Sequence, residues 1–310
     1  MLARLQQLMT LGLLLWAAGW LWLFWPVDRL VALGGAVAIL LSYTLILGAE
    51  FVLLARAHGA DPAPRATRMA LWRAWWCEVR VTPRVFFWRQ PFRSSAEPDH
   101  LPANGPRTAQ DCRPGLVLVH GLFCNRGFWN PWMRLLRTQG RAFIAVNLEP
   151  AWGDLDAHDA TLANAVARLA EATGQAPLLV GHSMGGLVAR RWVAERPAAQ
   201  VAGVVTIGTP HGGTWMARLS RTVHGEQMGL RSAWLRRLEA LEARGAHLAD
   251  EGASGPPPFV CWYSNADNIV FPPSTACLHG ADNRFVPVTA HVALAFHPRV
   301  MAETFALAYP

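Results

Sequence analysis

Val180-Gly181-His182-Ser183-Met184-Gly185-Gly186 is the stretch whose reading decides the fold. The apolar run Pro177-Leu178-Leu179-Val180 ahead of it reads as a buried parallel strand, and residues 184–195 behind it as a helix. The Gly-x-Ser-x-Gly spacing then places Ser183 on the turn between them, as in a nucleophile elbow. Gly181 and Gly185 leave room for a sharp turn that holds the hydroxyl at a helix N-terminus, where developing negative charge is favoured. Glycine and serine are common, and a small-residue turn can be purely structural, so the pattern needs partners elsewhere.

Upstream, Gly115-Leu116-Val117-Leu118-Val119 is a continuous apolar strand that runs straight into His120-Gly121-Leu122-Phe123. Gly121 lets the main chain turn so that the amide of Leu122 faces a reacting carbonyl, with the amide of Met184 as the second donor of an oxyanion site. Each such donor is worth about 3 kcal/mol of transition-state stabilisation. A helix over 128–138, a strand over 142–147 and a helix over 159–172 follow. In the last of these Leu162, Val166 and Leu169 form a core stripe. A strand over 201–207 then enters the turn Gly208-Thr209-Pro210-His211-Gly212-Gly213. Strands without polar alternation, interleaved with helices, predict an α/β architecture with a mostly parallel sheet covered on both faces.

No strand pattern appears over 214–258. The amphipathic helix at 232–244 either packs on the body of the domain or belongs to a cap over the serine. After it, Phe259-Val260-Cys261-Trp262-Tyr263 reads as a strand, and Asp267 lies just past its end. His291 opens a helix further on. Ser183, Asp267, His291 is the chain order of an α/β triad, with His291 as base and Asp267 as its orienting acid. Among the other histidines, His182 faces away from the Ser183 side chain, and His120 and His211 read as buttresses. His297 is the rival base, set inside a continuing helix before Pro298. Asp154, Asp156, Asp250 and Asp282 read as solvated loop charges.

The first third of the chain differs in composition. Apolar residues make up 52% of the 310 and charged residues only 16%, which points to a membrane segment. Residues 8–25 and 30–49 carry no charge and are joined by Pro26-Val27-Asp28-Arg29, predicting a helical hairpin of two spans. Its tryptophans cluster at the turn end, where indoles favour the interface. A signal peptide fits poorly, because the apolar run continues past Ala17-Ala18-Gly19 and a second span follows at once. Arg56, Arg65, Arg68 and Arg73 lie beyond the second span, which puts both ends on the cytoplasmic side. Glu50 is expected at the interface. Up to Arg113 there are 12 arginines against 7 acids, so most of the net +7 faces the membrane. No basic-aromatic motif suggests nucleic acid. Residues 79–81 and 84–88 read as short strands, and the polar, proline-bearing stretch 97–114 as a boundary. The five cysteines, Cys77, Cys112, Cys124, Cys261 and Cys277, lack metal-ligand spacing and read as free thiols.

Taken together these blocks resemble the α/β-hydrolase superfamily, and within it the bacterial lipases and GPI-inositol-deacylase-like esterases. The resemblance covers roughly residues 115–300. It rests on Val119-His120-Gly121-Leu122, the elbow, Gly208-Thr209-Pro210-His211-Gly212, the stretch from Tyr263 through Asp267 to Val270, and His291 followed by Pro298-Arg299-Val300. It implies ester hydrolysis through an acyl-enzyme on Ser183, with no metal or organic cofactor; the triad together with the hairpin points to carboxylic esters with an apolar acyl chain. An acyltransferase or thioesterase on the same triad, and a non-catalytic membrane scaffold, are the alternatives. The hairpin is a departure from the secreted lipases. The expected organisation is thus a transmembrane hairpin (1–56), a basic junction (57–113) and a catalytic domain (114–310). Its expected place is a bacterial inner membrane, with the catalytic domain in the cytoplasm.

Overall fold

The computed structural model describes residues 1–102, 114–196, 200–250 and 256–307. Helices α1 (Leu2–Phe24), α2 (Arg29–Leu40), α3 (Tyr43–Ala57) and α4 (Arg68–Thr82) come first. A π-helical turn, Pro83–Arg89, and the short α5 (Gln90–Phe92) follow. The remainder alternates: β1 (Leu116–Val119), α6 (Asn130–Thr138), β2 (Phe143–Ala145), α7 (Asp159–Thr173), β3 (Leu178–His182) and α8 (Met184–Val193). Then come β4 (Gly203–Ile207), α9 (Val223–Gln227), α10 (Ala233–Asp250), β5 (Phe259–Tyr263), β6 (Asp282–Phe285), α11 (His291–Ala295) and α12 (Pro298–Leu307).

The six strands form one parallel sheet in the order β2-β1-β3-β4-β5-β6. Both faces are covered, which is why the strands lack polar alternation. Along β1, Leu116 and Leu118 enter the core shared with α6, α11 and α12, while Val117 and Val119 enter the one shared with α7, α8 and α10. The apolar face of α10, Trp234, Leu235 and Leu238, is buried beside Val188 and Trp192 of α8. A buried arginine fixes that packing, because Arg190 makes two 2.7 Å bonds to the Glu242 carboxylate.

The first core is rich in rings. Trp132 is fully buried, stands edge-on to Trp129 and Phe305 at 5.1 Å each, and donates its indole N–H to the Ala295 carbonyl at 2.8 Å. Trp132→Ala removes that volume and leaves the carbonyl unpaired. Stability should fall by about 4 kcal/mol, read from the shift of a denaturant midpoint.

The amino-terminal third departs from expectation in two places. Residues 79–81 and 84–88, read as strands, are helical. Their β-branched residues belong to a helical face, Ala74, Glu78, Val81 and Val85, that packs onto the sheet domain, and this tertiary contact overrides strand propensity. Pro83, which has no N–H to give, is accommodated by the wider turn that follows α4. In addition, among the described residues only α1 is by itself long and apolar enough to cross a membrane. The expected second span is instead the pair α2 and α3, bent by 50°. At the break the Thr44 hydroxyl donates to the Leu41 carbonyl at 2.7 Å and competes with the helical ladder there.

The first turns of α1 are seated on the sheet domain. Gln6 donates to the Phe123 carbonyl at 3.0 Å and accepts from Asn125 at 3.0 Å, and Gln7 donates to the Pro91 carbonyl at 2.6 Å. Beyond them α1 packs on α2 through Ala17, Trp20 and Ala36, and turns Leu8, Leu11, Leu15, Trp16 and Trp22 outward. That is an apolar surface far larger than a water-facing helix carries.

Candidate active site

The turn after β3 is a strained elbow. Ser183 has φ 55° and ψ −127°, and α8 begins at the next residue. This backbone is costly for a residue with a side chain and persists only where the surroundings over-determine it. They do so here: the Ser183 amide donates to the Ile207 carbonyl at 2.9 Å, and its carbonyl accepts from the Thr209 hydroxyl at 2.9 Å. Gly185 is obligatory, since a Cβ there would run into the carbonyl oxygens of Val119 and His120. Ser183 itself is 8% exposed.

Parallel pairing carries the other groups to the same end of the sheet. Val119 of β1 lies beside Gly181 of β3, so the loop after β1 meets the elbow. A Cβ on Gly121 would stand 2.9 Å from the Cβ of Ser183. Among the described residues the amides of Leu122 and Met184 have no hydrogen-bond acceptor, the state in which an oxyanion site must wait. Leu122 is 40% exposed, and nearby Phe123, at φ 57°, sits 5.8 Å from the half-open ring of Trp152.

On the other side, the loops after β5 and β6 bring Asp267 and His291 together. His291 Nδ1 is 2.9 Å from Asp267 Oδ2, and both side chains are buried. The other carboxylate oxygen accepts from the amides of Ile269 and Val270 at 2.9 and 2.8 Å. An acceptor-only carboxylate makes Nδ1 the donor, which leaves Nε2 free to accept. Gly208, at φ 56°, lets the two meet: a Cβ there would lie 2.9 Å from Asp267 Oδ2. Burial pulls the His291 imidazole down, but Asp267, and behind it Glu78 and Glu50, outweigh this and hold its pKa above the usual value.

The loop residues around Asp267 are holders as well. Ser264 Oγ accepts from the Thr289 amide at 3.1 Å, Asn265 Oδ1 from the Val288 amide at 3.0 Å, and Asn268 Oδ1 from the His291 amide at 3.1 Å. The sequence marked this stretch only as a block; that three of its side chains grip the histidine loop depends on the β5–β6 pairing.

The other histidines singled out in the sequence have partners of their own. His182 Nε2 lies 3.2 Å from the His291 carbonyl and its ring stacks on Phe128. His120 bridges the Gly121 carbonyl and the Leu148 amide, and His211 bonds Thr206. His297, expected inside a helix, sits in the break between α11 and α12, because Pro298 starts a new helix. Asp282 pairs with Arg284, Asp156 with Arg191, and Asp154 with Gln227; the Asp250 side chain lies outside the described residues. Cys77, Cys124, Cys261 and Cys277 are free, and Cys112 lies outside the described residues.

Burial pushes His182 and His211 well below their usual value, with nearby positive charge adding to it, and pushes His120 down to about 4. A depressed folded pKa gives stability that is present above the unfolded value and lost as pH falls below it. For His120 alone the loss is about 2 kcal/mol at pH 5. The raised values of His291 and Glu78 run the other way, but burial depresses His158, His224 and His297 as well, so the depressed groups outweigh the raised ones. The melting temperature of the detergent-solubilised chain should therefore drop between pH 7 and pH 5. An unchanged or higher value would contradict neutral burial.

Two acids have partners that the sequence did not disclose. Glu50, expected at the membrane interface, accepts from Asn268 Nδ2 at 2.6 Å. Glu78 of α4 is 1% exposed and accepts from the amides of Val292 and Ala293. A lone acid within Trp75-Trp76-Cys77-Glu78-Val79 was the available signal.

The model of the alpha/beta hydrolase family matches residues 116–305. None of the curated proteins matches the sequence. Among solved structures, the mature lipase BlEst2 of Bacillus licheniformis is 17% identical with a TM-score of 0.53, over 67% of this chain and 95% of that one. Lipase B of Aspergillus fumigatus is 18% identical with a TM-score of 0.53, over 70% of this chain and 57% of that one. Identities this low speak for the fold alone. The family match spans every strand of the sheet and the loops at its carboxyl end, and by it this chain belongs to the alpha/beta hydrolase family.

Proposed function

We propose that the chain is a membrane-anchored serine hydrolase that cleaves carboxylic esters through an acyl-enzyme. The observation that carries this reading is the 2.9 Å bond from His291 to Asp267, held next to a strained serine elbow. Nε2 of His291 takes the Ser183 proton as Oγ attacks the ester carbonyl, and the oxyanion is met by the amides of Leu122 and Met184. The imidazolium then protonates the leaving alcohol. Water, deprotonated by the same nitrogen, releases the acid and restores Ser183. Asp267 fixes the tautomer and balances the imidazolium.

The exposed Leu122 and Trp152 beside the elbow support an apolar acyl chain, and the outward-facing α1 with the bent α2–α3 pair supports anchoring in a bilayer. The bond from Gln6 to Phe123 ties the anchor to the loop that carries Leu122. The reading is tested by fluorophosphonate labelling of Ser183 in intact and permeabilised spheroplasts, with p-nitrophenyl ester turnover measured alongside. Labelling only after permeabilisation is expected for a cytoplasmic domain. An unlabelled Ser183 in folded protein would sink the reading.

A further inference from the structure

The helix that His291 opens begins without a cap of its own. Ala290 occupies the N-cap position of α11 and has no side chain able to accept a hydrogen bond, so the first amides would be left unpaired in the interior. They are satisfied from far away in sequence. Glu78 reaches in from α4, and its two carboxylate oxygens take the amides of Val292 and Ala293 at 2.9 and 3.0 Å. A second acid works from α3: Glu50 accepts from Asn268 Nδ2, while Asn268 Oδ1 holds the His291 amide. Both carboxylates belong to the membrane-proximal helices, and both converge on the first turn of the helix that His291 opens.

We propose that Glu78, assisted by Glu50 through Asn268, is a positioning residue for His291, so that the membrane-proximal helices complete the catalytic apparatus. The inference rests on the triad reading of Ser183, Asp267 and His291. Capping alone does not explain the choice of residue, because a serine or aspartate at position 290 would cap α11 without burying a distant carboxylate. An acid that is 1% exposed is expensive, and burial pushes the Glu78 pKa up to about 7. What the acid adds over a neutral cap is charge facing an imidazole that turns cationic during each proton transfer. The groups facing His291 are Asp267 from the loop after β5, Glu78 from α4, Glu50 from α3 and the neutral His182 ring, 4.6 Å away on β3. Three are acids and none is a fixed cation, so removing one acid must weaken the hold on the imidazolium.

The test uses the full-length chain in detergent, with active sites counted by fluorophosphonate so that rates are per folded site. Glu78→Gln loses the charge and can accept only one of the two amides. Its kcat per site should fall about 30-fold with KM nearly unchanged. The acid limb of its kcat/KM profile should move about one unit to lower pH, because an imidazole with fewer acid neighbours gives up its proton more readily. Glu78→Asp keeps the charge, so its limb should stay near the wild-type position even where its rate is reduced by the shorter reach. Glu50→Gln should shift the limb in the same direction as Glu78→Gln, and it carries the test if Glu78→Gln does not fold. An unmoved limb with a wild-type rate per site in the folded glutamine variant overturns the proposal. A wild-type chain that is not labelled at Ser183 overturns the triad reading itself, and this inference with it.

Discussion

Ser183→Ala should lower ester turnover by about 10⁴- to 10⁶-fold and abolish fluorophosphonate labelling, while the circular dichroism spectrum stays that of the wild type. The size follows from the proposed chemistry, in which Ser183 Oγ forms the acyl-enzyme and its loss leaves the oxyanion donors and substrate binding alone. Such a loss corresponds to about 5–8 kcal/mol of transition-state stabilisation. The small structural effect follows from the geometry. Ser183 makes no capping bond to α8, and the backbone bonds that pin the elbow come from its amide and carbonyl. Alanine keeps both. The melting temperature should move by no more than about 2 °C. Turnover that survives the substitution would remove the nucleophile from the mechanism.

Asp267→Asn should be almost as damaging, at about 10⁴-fold in kcat, for a different reason. The amide oxygen of asparagine can still take the Ile269 and Val270 amides that now hold Asp267 Oδ1, so the loop survives. The amide nitrogen is then turned toward His291 Nδ1, where two donors cannot meet. The imidazole must take the other tautomer, with its proton on Nε2, and can no longer accept from Ser183. Loss of the carboxylate also removes the strongest support for the raised His291 pKa. With the neutral imidazole as the base of the proposed mechanism, wild-type kcat/KM should fall as pH drops through the raised pKa of His291. In the asparagine variant that limb should lie at lower pH. A limb that stays in place would mean that Asp267 is not the partner that sets the protonation of the base.

Much of this site was legible because its physics is local. The elbow needs a glycine two residues on either side of Ser183, and only Gly185 clears the carbonyls of Val119 and His120. The strands announce a sheet covered on both faces by lacking polar alternation, and β5 was read at its observed bounds. What the sequence did not disclose shares a cause. Val81 and Val85 suit a strand by propensity, yet they recur at helical spacing with Glu78 on a face that packs on the sheet domain, where the partners of Glu78 lie two hundred residues away in sequence. Glu50 sat in an apolar run, where hydropathy places an acid at the membrane interface; its partner Asn268 is 218 residues downstream. No window of sequence contains such a pair.

The sequence by itself determined the sharp turn at Ser183, the strand-and-helix alternation around it and the apolar character of the amino-terminal helices. Each of these is written in spacing, small-residue turns or hydropathy over a few residues. Only the tertiary structure decided which groups meet. Parallel pairing carried the loops after β1, β3, β5 and β6 to one end of the sheet, and the packing of α1, α3 and α4 placed Gln6, Glu50 and Glu78 against that end. The reason is that a side chain's hydrogen-bond partner is set by burial, where every donor must be met, and burial brings together residues that the chain itself holds far apart.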